Sequence, residues 1–213
     1  MAADAPAAVK VCGLMVPEEA RACAELGAWA IGVVFAPESP RRVDAARAAE
    51  VLAAVPAGVA RVGVFVAGRA DEMAAVAREA GLTHLQVHDG DPAEARRVSG
   101  LPVIEGIRVA GRAALDRARA SAADLVMLDA AVPGRHGGTG RRFDWSLLEE
   151  EPLGRPFVLA GGLRPGNVGE AVARLRPAIV DVSSGVESAP GRKDPALVRA
   201  FVAAVAQAGP VPA

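Results

Sequence analysis

Several polar or nucleophilic residues in this 213-residue chain close short apolar runs, where each type suggests a chemistry. Cys12 ends VKVC (9–12) and is followed by Gly13; His88 ends THLQVH (83–88); Asp129 ends ADLVMLD (123–129). Asp181 lies in AIVDV (178–182), which leads into Ser183-Ser184-Gly185, and PFVLA (156–160) leads into Gly161-Gly162. A thiolate acts as nucleophile or general base once a nearby charge or dipole lowers its pKa. Without that help Cys12 would be a small buried hydrophobe. A carboxylate behind LVML needs a partner or a task. An apolar wall would raise the pKa of Asp129 and suit it to general-acid work, and the competing role is a cap for the loop that follows. His88 and Asp181 are candidates for contacts to a substrate. Paired glycines before a helix start let backbone N–H groups approach an anion, which the helix dipole also favours. Gly161, Gly162, Ser183, Ser184 and Gly185 are therefore candidate phosphate ligands. Arg41 and Arg42, in APESPRR (36–42), can each fork a carboxylate. Cys23 sits in a helical pattern, and His84 and His136 have no metal-ligand spacing, so none of the three is assigned chemistry.

Eight runs recur along the chain, at 9–12, 29–35, 60–66, 83–88, 102–107, 123–129, 156–160 and 178–182. They are almost continuously hydrophobic, as parallel strands buried on both faces must be. Ala-rich helical segments alternate with them, at 17–27, 44–55, 70–80, 92–99, 111–120, 144–150, 166–175 and 195–208. Pro17, Pro92, Pro165 and Pro195 stand at or beside helix starts, where a missing N–H costs nothing. Asp44, Asp144 and Asp194 are expected caps. Eight βα units predict an α/β fold, a (β/α)8 TIM barrel; six or nine strands would have suggested an open doubly wound sheet. One barrel domain over 1–213, with a core at about 9–208, accounts for the whole chain. In such barrels the site lies at the C-terminal ends of the strands, with phosphate at loops 7 and 8. Long loops after strands 2 and 6 are candidate substrate covers, the GGTG stretch (137–140) being flexible enough to close, and the competing reading is a tolerated surface insertion.

Composition excludes several classes. Twenty-four basic residues against 25 acidic ones give a net charge of −1, which argues against a nucleic-acid partner or an anionic membrane surface. Aromatic residues make up 3% of the chain and tyrosine is absent, which disfavours a base-stacking platform. Two cysteines make neither a disulfide scaffold nor, with three histidines at these spacings, a structural zinc site. MAADAPAAVK lacks the pattern of a signal peptide, and no apolar segment nears the ~18 residues that span a bilayer. A cytoplasmic protein is expected.

Read together, KVCGL (10–14), GVVFAPESPRRV (32–43), LQVH (85–88), PGRHGGTGRRFDW (133–145), LAGGLRPGNV (159–168) and VDVSSGVESAPGRKD (180–194) resemble the phosphoribosylanthranilate isomerase family of tryptophan biosynthesis, over roughly 9–205. The resemblance implies an Amadori rearrangement of N-(5'-phosphoribosyl)anthranilate, with Cys12 as general base, Asp129 as general acid and Arg41 holding the anthranilate carboxylate. It implies a small phosphoribosyl substrate, no metal, no organic cofactor, and a monomer or homodimer. One departure is local: the family commonly has Gly after LQVH, where this chain has Asp89-Gly90. Two rival readings are a histidine-pathway sugar-phosphate isomerase and a non-catalytic barrel that senses a phosphorylated ligand. Enzymes of the first kind carry an aspartate where this chain has Cys12, and the acid, base and arginine count against the second.

Overall fold

Strands rich in Val, Ile and Leu close on one another in chain order. The computed structural model describes residues 5–130 and 145–211. Its parallel strands are β1 (Ala8–Cys12), β2 (Ala30–Val34), β3 (Ala60–Val66), β4 (His84–His88), β5 (Val103–Val109), β6 (Leu125–Ala130), β7 (Phe157–Leu159) and β8 (Ile179–Val182). They form a closed barrel in which β8 pairs back onto β1, Lys10 beside Asp181 and Val11 beside Val182. The expected (β/α)8 architecture is the observed one.

Helices α1 (Pro17–Glu25), α2 (Ala45–Ala53), α3 (Ala70–Ala80), α4 (Pro92–Ser99), α5 (Arg112–Ala120), α6 (Ser146–Glu150), α7 (Pro165–Leu175) and α8 (Pro195–Gln207) follow the strands in turn. Pro17, Pro92, Pro165 and Pro195 each open a helix. The Asp44 carboxylate accepts from the Arg47 N–H, and that of Asp194 from the Ala196 N–H, both at 2.8 Å. Asp144, His136 and the GGTG stretch lie outside the described residues.

Period-two alternation sorts the strand side chains into two layers. Val11, Ile31, Val33, Leu85, Val126 and Leu128 point outward and pack with helix residues such as Leu52, Leu115 and Phe201. Each such fully buried side chain contributes roughly 1.5–3 kcal/mol. Ala30, Val62, Ile104, Met127, Val158 and Ile179 pack among themselves inside the barrel. The same inward parity brings Cys12, Asp129 and Asp181 to the C-terminal mouth.

Three small elements were not legible as structure. Ala5–Pro6 pairs antiparallel with Pro210–Val211. After β8, a 3-10 turn (Ser184–Val186) leads into a short hairpin, Glu187–Ala189 against Arg192–Lys193.

Candidate active site

A cavity of about 280 Å³ opens at the C-terminal ends of the strands. Cys12, Arg41, His88, Asp129, Gly161, Gly162, Asp181, Ser183, Ser184 and Gly185 all line it. Arg42 is exposed, and His84 lies elsewhere, edge-on to Trp29 with ring centroids 5.7 Å apart. Val34, Val64, Val66 and Met127 supply an apolar wall. Cys12 ends β1 and Asp129 nearly ends β6, three strands apart the short way round the barrel, so thiol and carboxylate approach the cavity from different sides. The His88 ring bonds Gln86 Nε2 through its Nε2 at 2.8 Å and lies against Gly106, where a Cβ would come within 2.1 Å of it. Asp89, at the departure from the family pattern, has φ +53, the left-handed conformation that Gly takes freely and Asp tolerates. The chain therefore keeps its turn after β4.

Beneath Cys12 lies Lys10, two residues earlier on the same inward face and fully buried. Its ammonium donates to Asp181 Oδ1 at 2.6 Å. Burial pushes the Cys12 thiol above its ordinary pKa, Lys10 pulls it down, Asp181 pushes it up and Lys193 pulls it down. Burial also works against the Lys10 ammonium, but Asp181 and Cys12 outweigh it and hold the amine above its usual value.

A second cluster brackets the mouth. The loop after β2 returns to its strand through a Val34–Arg42 bridge, which turns Arg41 toward the cavity. Arg41 forks Glu187 with Nε and Nη2, each at 2.7 Å, and Lys193 Nζ donates to Glu187 Oε1 at 2.7 Å. Lys193 Nζ also donates to the Ser183 carbonyl at 3.2 Å. Burial would raise the Glu187 pKa; its bonds to Arg41 and Lys193 outweigh that and bring it down to about 2.

The two glycine-bearing loops converge. Gly161 and Gly162 have φ of +89° and +66°, which only glycine adopts without strain, and they turn the chain directly after β7. Asn167 braces this turn, accepting from the Arg164 N–H at 2.8 Å and donating to the Gly162 carbonyl at 3.0 Å. Gly185 presses so close that a Cβ there would lie 1.9 Å from the Leu163 carbonyl oxygen. Backbone from both loops thus rims the same end of the cavity.

Sequence reasoning missed Lys10, Glu187 and Lys193. Lys10 had a usable signal, since a lysine within an apolar strand and in phase with Cys12 must point into the barrel. Glu187 and Lys193 gave none, because the hairpin that brings them to Arg41 shows no alternating pattern.

This fold is that of the (β/α)8-barrel class, whose enzymes carry their sites at the C-terminal mouth, where this cavity opens. A family model described as "PRAI: N-(5'phosphoribosyl)anthranilate (PRA) isomerase" matches residues 9–204. The chain belongs to the N-(5'-phosphoribosyl)anthranilate isomerase family, enzymes of tryptophan biosynthesis. It is 46% identical to the isomerase of that name from Acidithiobacillus ferrooxidans, over 92% of this chain and 96% of the relative. The crystal structure of phosphoribosyl anthranilate isomerase from Thermotoga maritima superposes with a TM-score of 0.84 at 36% identity, covering 94% of this chain and 99% of that one. A phosphoribosyl anthranilate isomerase in complex with reduced 1-(o-carboxyphenylamino)-1-deoxyribulose 5-phosphate superposes at 0.81, with 35% identity and the same coverage. The activity is that of an isomerase acting on N-(5'-phosphoribosyl)anthranilate.

Proposed function

We propose that Cys12 and Asp129 carry the isomerisation as a base and acid pair. Asp129 gives its proton to the furanose ring oxygen, the ring opens, and an iminium forms at the sugar's first carbon. Cys12, as thiolate, then takes the proton from the second carbon, and the electron pair left behind neutralises the iminium as an enolamine. Tautomerisation puts a proton on the first carbon and removes one from the hydroxyl at the second, which gives the ketone. One proton returned from the thiol to the carboxylate resets the pair.

Binding follows the same layout. The phosphate sits against the backbone of Gly161, Gly162, Ser183, Ser184 and Gly185, and His88 and Asp181 contact the opened sugar. Arg41 uses Nε and Nη2 on Glu187, which leaves its Nη1 end for the anthranilate carboxylate. What supports this reading is that acid, base, arginine and both glycine-bearing loops line one cavity. One barrel domain of one chain supplies them all, so the site needs no partner residue in either a monomer or a homodimer. A thiol that must stay reduced fits the cytoplasm. Among the described residues no helix is long and apolar enough to cross a membrane.

The test is a fluorescence assay of N-(5'-phosphoribosyl)anthranilate rearrangement with wild type and Cys12→Ser, the histidine-pathway aminoimidazole substrate serving as control. Turnover of the anthranilate compound alone, reduced by ~10²–10⁴-fold in Cys12→Ser, is expected. Turnover of the control substrate by wild type would widen the substrate class, and near-normal activity of the variant would remove Cys12 as base.

A further inference from the structure

Inside the barrel, Lys10 is a buried charge among Ala, Val, Ile and Met side chains, with the neutral amide of Gln86 another buried polar group on the inward face. Its side chain is completely inaccessible, and its salt bridge to Asp181 joins direct neighbours across the β1–β8 ladder. A buried ion pair is weak evidence for a stabilising role, because apolar side chains of similar volume often serve as well. The pair therefore calls for another explanation, and its position supplies one.

Lys10 and Cys12 stand two residues apart on β1, on the same inward face. Across the ladder on β2, the residue paired with Cys12 is Gly32. A Cβ built there would lie 2.9 Å from Cys12 Sγ and 3.3 Å from Lys10 Nζ. Sulfur and ammonium thus share one small space, kept open by the missing side chain of β2. We propose that Lys10, anchored by Asp181, is a positioning residue for Cys12: its ammonium is the counter-charge that makes a thiolate possible at this buried site.

The electrostatics run in the required sense. With Cys12 protonated, the Lys10–Asp181 pair is neutral. Ionising the thiol adds a second anion beside one ammonium that stays protonated throughout, so the attraction to Lys10 appears only when the base is made. Other charged groups face the thiol as well. Asp181 on β8 opposes ionisation, Lys193 of the hairpin favours it, and Arg41 from the loop after β2 lies near enough to sense the sulfur. Asp129 and His88 line the same cavity from β6 and β4. Of the charges, Lys10 acts most strongly on Cys12.

This inference rests on Cys12 being the base, so the experiment reads the thiol separately from turnover. The pH dependence of Cys12 alkylation by iodoacetamide, mapped by peptide mass to separate it from Cys23, is compared in wild type, Lys10→Met and Lys10→Met/Asp181→Asn. In Lys10→Met the alkylation midpoint is expected to rise by about one pH unit or more, a tenfold loss of thiolate at a given lower pH. The acid limb of kcat/KM should rise with it, so that activity falls about tenfold at neutral pH and recovers in alkali. The double variant leaves no unpaired buried carboxylate, and its alkylation midpoint should fall between the other two; it carries the test if Lys10→Met does not fold. An unchanged alkylation midpoint in the variant that folds, or an activity loss equal at every pH, overturns the proposal. Substantial activity of Cys12→Ser would instead remove the base reading, while the midpoints still report what Lys10 does to the thiol.

Discussion

Arg41 and Glu187, 146 residues apart in the chain, meet as a two-point fork, Nε on Oε1 and Nη2 on Oε2, each at 2.7 Å. The fork ties the loop after β2 to the hairpin after β8, across the strand that bears Cys12. Two parallel bonds fix the plane of a guanidinium as well as its place. Glu187 therefore decides how Arg41 meets a ligand, although it does not itself line the cavity.

Replacing Glu187 by Gln keeps the shape but loses the charge and one acceptor of the fork. KM for the anthranilate substrate should rise about tenfold with kcat nearly unchanged, the pattern of lost uniform binding. Arg41→Ala should weaken binding at least as much, and a substrate analogue without the anthranilate carboxylate should bind both variants about as well as wild type. If the carboxylate-free analogue suffers equally, Glu187 supports the fold of the mouth and does not orient Arg41.

Glu187 also makes a prediction about stability and pH. Its folded pKa is drawn down to about 2, below the ordinary carboxylate range of an unfolded chain. A depressed folded pKa means the contribution is fully present above the unfolded pKa of about 4.3 and is lost as pH falls toward the folded value. Wild type should thus be more stable than Glu187→Gln at pH 7, and the gap should shrink steadily below about pH 4. Urea unfolding of both proteins at several pH values measures it. A gap that stays constant down to acid pH means that Glu187 is not held as the charged partner of Arg41 and Lys193.

The barrel was legible because its signal is repeated. Each apolar run, proline helix start and aspartate cap points to the same βα unit, so small errors at strand ends leave the architecture intact. Position at the ends of apolar runs located Cys12, Asp129 and His88, and Gly161-Gly162 with Ser183-Ser184-Gly185 located the loops after β7 and β8. What stayed hidden depends on distance through space. Glu187 and Arg192 lie next to a loop in sequence, yet one meets Arg41 and the other Glu19, at 2.7 and 2.6 Å. No local pattern encodes such pairings. Lys10 is a different case, since its parity was readable and its partner Asp181 lay on the strand that closes the barrel.

Gly185→Ala tests the anion site. The added methyl would meet the Leu163 carbonyl oxygen at 1.9 Å, so the loops after β7 and β8 must separate. Inhibition by inorganic phosphate should weaken about tenfold or more, and KM should rise in parallel. Far-ultraviolet circular dichroism and a melting curve check that the barrel persists. Unchanged phosphate inhibition in a folded variant would place the anion elsewhere.

Asp129→Asn separates catalysis from binding. The ring oxygen needs a proton as its bond to carbon breaks, so the acid's contribution belongs to the transition state and not to the bound ground state. The amide is nearly isosteric with the carboxylic acid but has no proton acidic enough to give. The turnover number should therefore fall by ~10²–10⁴-fold. Affinity for a reduced product analogue, measured by calorimetry, should change by less than about threefold, because that ligand has no ring oxygen awaiting a proton. Loss of a loop cap would act differently, lowering the melting temperature and weakening the analogue together. Should Asp129→Asn raise KM with an unchanged turnover number, Asp129 is a binding residue. The proton would then have to come from Asp181, the other carboxylate carried inward by a barrel strand at this cavity, and Asp181→Asn would show the fall in turnover instead.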